Sequence, residues 1–61
     1  MMNEHEFINQ MIKFYHACNV PAAEVDHVLA TNRDQISRYL IATPELMARK
    51  FYEWTFNKSI N

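Results

Sequence analysis

Leu29-Ala30-Thr31-Asn32-Arg33-Asp34-Gln35-Ile36-Ser37-Arg38-Tyr39-Leu40 is the stretch on which the reading of this chain turns. Thr31 to Gln35 is a polar interruption between two apolar clusters. Asn32 is a favoured helix N-cap, and Gln35, three residues on, has the spacing needed to reach back to it as in a capping box. The pattern predicts that one helix stops near Ala30 and another runs over about 33–41, with Ile36, Tyr39 and Leu40 facing inward.

Outward from that stretch, the signals for helix continue in both directions. Upstream, Pro21 suits a helical first turn, where its missing N–H costs nothing. It opens a predicted helix over 21–30 with Val25, Val28 and Leu29 inward. Before it, Phe7, Ile8, Met11, Ile12, Phe14, Tyr15 and Cys18 recur at spacings of three and four, one apolar face of a helix over about 4–18. Glu4 and Glu6 fall in its first turn, where the helix dipole favours carboxylates. Asn19-Val20-Pro21 ends it, because a proline disfavours helical geometry in the residue before it. Downstream, Thr43-Pro44-Glu45 combines a cap, a proline at the first helical position and an acid in the first turn. A last helix is expected over 44–56, with Leu46, Met47, Phe51 and Trp54 on or near one face, followed by a fraying polar tail at 57–61.

The chain contains no glycine. A β-rich fold of this size needs tight turns of positive φ, which glycine normally supplies. The expected fold is therefore all-α, one domain over residues 1–61, a bundle of about four short helices. A domain of 61 residues buries only about 60% of the surface its unfolded chain exposes, so its stability margin is thin. Cys18 is the one cysteine, which rules out an internal disulfide and fits a reducing compartment. No basic leader with an apolar run is visible, and no stretch approaches the roughly 18 apolar residues of a membrane span. A cytoplasmic location is expected, with no membrane partner.

Net charge is −1, but it is unevenly spread. Lys13 stands against Glu4, Glu6, Glu24 and Asp26 in the first thirty residues. Arg33, Arg38, Arg49, Lys50 and Lys58 outnumber Asp34, Glu45 and Glu53 in the rest. A basic half is compatible with one face meeting phosphate.

The quoted stretch resembles the turn and recognition helix of the helix-turn-helix family, as found in small phage and plasmid regulators. Leu29, Asn32, Ile36, Ser37, Arg38 and Leu40 fit the family pattern in register, and Val25 fits the preceding helix. The likeness covers residues 21–41. It implies a sequence-specific transcription regulator binding double-stranded DNA, with Asn32, Arg33, Asp34, Gln35, Ser37 and Arg38 at the DNA. Arginine is the best single reader of guanine, through paired bonds to O6 and N7, and a homodimer would match a palindromic site. Two positions depart from the pattern. Ala30 stands where the family usually has glycine, and Asp26 where it prefers alanine at the helix crossing.

A second reading starts from Phe51, Tyr52, Trp54 and Phe56, which one helix face cannot hide together. Aromatic residues concentrate at protein interfaces, so these four are candidates for a homodimer contact or for the docking face of a small inhibitor or adaptor. On this reading Arg33 and Arg38 are solvated charges, Arg38 pairing with Asp34. His5, His16, His27 and Cys18 match no standard zinc spacing. Cys18 with His16 or His27 would pair a nucleophile with a base, but the chain has little room for a substrate pocket. No enzyme activity, catalytic residue, metal, cofactor or small-molecule substrate is expected.

Overall fold

The computed structural model describes residues 2–60. Three α-helices follow one another, α1 (Glu4–Ala17), α2 (Ala22–Ile36) and α3 (Pro44–Phe56), with a single 3-10 turn, Ser37–Tyr39, between the last two. No strand occurs among the described residues. The class is all-α, with three α-helices where four were expected.

The first and last helices begin as their capping residues dictate. The Asn3 side chain accepts from the Glu6 N–H at 2.8 Å and donates back to the Glu6 carboxylate at 2.9 Å. Thr43 accepts from the Leu46 N–H at 3.3 Å, with Pro44 at the first helical position. α1 closes in a Schellman motif. Val20 N–H bonds the Tyr15 carbonyl and Asn19 N–H the His16 carbonyl, both at 3.0 Å. Asn19 takes φ 60° there, and Asn57 takes φ 59° at the end of α3. In a chain without glycine, asparagine supplies both left-handed residues, a conformation its short polar side chain tolerates better than most.

The break expected at Thr31–Asn32 is absent. α2 runs unbroken through both residues to Ile36, so the predicted helices over 21–30 and 33–41 are replaced by one long helix and a 3-10 turn. The reason is the fate of Asn32. Val25, Val28, Asn32 and Ile36 form the buried stripe of α2, at spacings of three, four and four. Asn32 occupies a core position, 5% exposed, instead of capping anything. Its Nδ2 donates to the Val28 carbonyl at 2.7 Å and to Thr55 Oγ1 on α3 at 2.8 Å. Thr55 Oγ1 in turn donates to the Phe51 carbonyl at 2.7 Å. A side chain that would cap a helix when exposed stays inside one because a partner 23 residues away satisfies it.

The core is built from Phe7, Met11 and Tyr15 of α1, Val28 and Ile36 of α2, and Phe51 of α3, all essentially without solvent contact. Tyr15 Oη donates to the Ala48 carbonyl at 2.7 Å, tying α1 to α3. Tyr52 Oη donates to the Glu24 carboxylate at 2.9 Å, tying α3 to α2. Burial, with Tyr52 adding to it, holds the Tyr15 hydroxyl well above the usual tyrosine range. Tyr52 is raised by burial first and then by the hydrogen bond and charge of Glu24. The tail is not wholly loose. Ile60 packs on the core, while Asn61 lies outside the described residues.

Candidate interaction surface

Of the six residues expected at DNA, Arg33, Asp34, Gln35, Ser37 and Arg38 are exposed and Asn32 is buried. The exposed five are arranged differently from the expectation. Arg33, Asp34 and Gln35 lie in the last turn of α2 and Ser37 and Arg38 in the 3-10 turn, so none belongs to the N-terminal turn of a separate recognition helix. The end of a helix carries partial negative charge from its unpaired carbonyls, which disfavours phosphate. Asp26 is exposed and stands at no tight helix crossing.

The four aromatic residues of α3 also separate. Phe51 and Tyr52 are buried in the core, at 0% and 5% exposure. Phe56 is half-buried, its ring 4.8 Å from that of Tyr52 and 5.6 Å from that of His27. Trp54 alone stays open, at 54% exposure. At 100° per residue Trp54 and Phe56 sit on opposite borders of the buried stripe, so they do not make one face.

Around Trp54 the structure assembles a surface that the aromatic pattern only partly marked. The Tyr39 ring stands edge-on to Phe51 with centroids 5.7 Å apart, and 6.1 Å from Trp54. Phe51 and Trp54 stand edge-on at 5.5 Å. Three rings thus pack against one another, and the outermost, Trp54, is left half open to solvent. Two aliphatic side chains elsewhere, near the start of α3, are exposed as well. Ile41, in the loop leading to α3, is 87% exposed, and Leu46, in the first turns of α3, is 49% exposed. Leu46 was expected inward, but it lies about 100° from Met47 around the helix, off the edge of the buried stripe. Ile41 was read as the end of a third helix. Its signal was an isoleucine in a segment whose helix ends at Ile36.

Leu46, Lys50 and Trp54 follow one another at intervals of four residues, which sets them on a single ridge of α3. Below Trp54 an open hollow of about 440 Å³ is lined by Glu53, Trp54, Asn57, Lys58 and Ser59. A smaller hollow of about 160 Å³ lies beside Cys18, Glu24 and Tyr52, below the several hundred Å³ of ordinary small-molecule sites. Arg49 lies elsewhere, its guanidinium 5.0 Å from the centre of the Phe14 ring. Among the described residues no three His, Cys, Asp or Glu side chains group as metal ligands would, and no helix is long and apolar enough to cross a membrane. Comparison with protein-family models, with curated proteins and with solved structures finds no match.

Proposed function

We propose that this chain is a small helical protein-binding module, an inhibitor or adaptor that docks on a partner protein through Tyr39, Ile41, Leu46 and Trp54. The observation that carries this reading is the half-exposed Trp54, packed against Tyr39 and Phe51, on the same ridge of α3 as the exposed Leu46, with Ile41 exposed in the loop before that helix. A chain this short has little apolar surface to spare, and leaving Ile41 largely, and Leu46 and Trp54 half, in water gives up part of a burial worth roughly 1.5–3 kcal/mol for a whole aliphatic side chain. Tryptophan is the residue most enriched at binding hot spots, and a pre-ordered ring loses little entropy on docking.

The test is a comparison of the parent with Ile41→Ser/Trp54→Ser as baits. A partner retained by the parent and lost by the double variant, with both baits equally helical by circular dichroism, supports the reading. A partner held equally by both sinks it.

DNA binding is the second reading, favoured by the exposure of Arg33 and Arg38 at neighbouring turns. Retention on a double-stranded DNA column, falling steeply with salt and lost with Arg33→Ala/Arg38→Ala, would place it first.

A further inference from the structure

Beyond the docking reading, and without resting on it, we infer that residues 57–60 form a strap, hinged at Asn57 and latched by Ile60, which swings off the hollow beside Cys18 while the three helices stay folded. Were α3 to continue, Ile60 would stand eight residues past Tyr52, about 12 Å further along the axis. Instead Ile60 and Tyr52 border the same hollow, together with Cys18, Val20 and Pro21 from the corner between α1 and α2. The chain therefore folds back where α3 ends. Asn57 makes the reversal, at φ 59° and ψ 33°, a left-handed conformation that asparagine tolerates better than most residues.

The hold on the folded-back segment is slight. Among the described residues hydrogen bonding stops at Asn57, whose N–H donates to the Glu53 carbonyl at 2.7 Å. Asn57, Lys58 and Ser59 are exposed, and Ile60 alone turns inward, half-buried against the core. Lys58 and Ser59 also border the hollow below Trp54, so the segment is a thin wall with open space on both sides. A segment held by one apolar contact lies at the low end of local stability and opens more often than the bundle unfolds. Opening bares the half-buried Cys18 and the edges of Val20 and Tyr52, which are buried when the strap is closed.

Cys18 is the one cysteine, so its alkylation reports the opening. The experiment follows the rate at which iodoacetamide alkylates Cys18 in the full chain across sub-denaturing urea, beside the urea midpoint of the helices by circular dichroism. A local opening exposes little surface, so the parent's rate should stay almost flat in urea until the bundle itself starts to unfold. Ile60→Ser should raise that flat rate about three- to tenfold and leave the midpoint close to the parent's. Asn57→Ala, which disfavours the left-handed hinge, should raise the rate as well. A parent rate that climbs with urea in step with global unfolding would mean that the whole bundle shields Cys18, and it overturns the strap. Rates in Ile60→Ser and Asn57→Ala equal to the parent's do the same. So does an Ile60→Ser midpoint as low as that of Val28→Ala, which would make Ile60 part of the core.

Discussion

Asn32 and the two buried tyrosines show how single polar groups fix the arrangement of three helices. Asn32 and Thr55 form a relay that ends on the Phe51 carbonyl. Removing one member leaves the other with its intrahelical bond but without its partner across the helices, whereas replacing both by apolar groups of similar shape removes the need for either. Thr55→Val alone should therefore cost about 1–3 kcal/mol in urea unfolding, and Asn32→Leu/Thr55→Val should cost less than the two single changes added together. Additive losses would mean that the relay contributes nothing as a unit. The tyrosines give a pH signature. Each has a folded-state pKa above the ordinary value of 10.0. Their contribution is whole below that value and disappears as pH rises through the folded-state pKa, because the unfolded chain ionises first and gains from it. The urea midpoint of the parent should be set by other groups up to about pH 10 and fall above it. In Tyr52→Phe that alkaline fall should be shallower, and an identical fall in parent and variant would remove Tyr52 from the account.

Among the helices, the sequence predicts α1 and α3 to within a residue or so, because their starts are local. Asn3 and Thr43 cap them, Pro44 opens α3, and apolar residues repeat on one face. α2 was legible only in half. Asn32, Asp34 and Gln35 carry the chemistry of a helix start, and what overrides it is Thr55, a contact no local window contains. A hint was present in the spacing, since Asn32 falls where the stripe Val25, Val28, Ile36 needs an inward residue. The surface was legible in part for the same reason. Trp54 was marked as aromatic, but which α3 aromatics stay outside depends on where α2 and the Tyr39 turn pack. The continuity of α2 has a direct test. In a helix interior Ala30→Gly costs about 1 kcal/mol, whereas at a turn of positive φ the same change is neutral or stabilising. We expect the loss, read as a lower urea midpoint. The opposite is expected at Asn19, already at positive φ, where Asn19→Gly should leave α1 as stable or make it slightly more so.

At the scale of the whole molecule, the aromatic residues of α3 divide between core and surface, and the division can be measured. Phe51 has no solvent exposure and packs between Tyr39 and Trp54, so Phe51→Ala should cost about 3–5 kcal/mol. For a domain with a thin margin that is enough to unfold much of it at room temperature. Ile41 has most of its surface in water already, and its loss takes little from the core, so Ile41→Ser should change stability by less than about 0.5 kcal/mol. Trp54 belongs to both groups, with one face on Tyr39 and Phe51 and the other open, and Trp54→Ser should fall between the two in thermal unfolding. If Ile41→Ser instead melts the fold as Phe51→Ala does, the loop before α3 is part of the core and not a surface held out for a partner. The expected order, with Ile41 nearly free, Trp54 intermediate and Phe51 severe, is that of a bundle whose inner ring wall holds the fold and whose outer ring contributes only part of its surface to it.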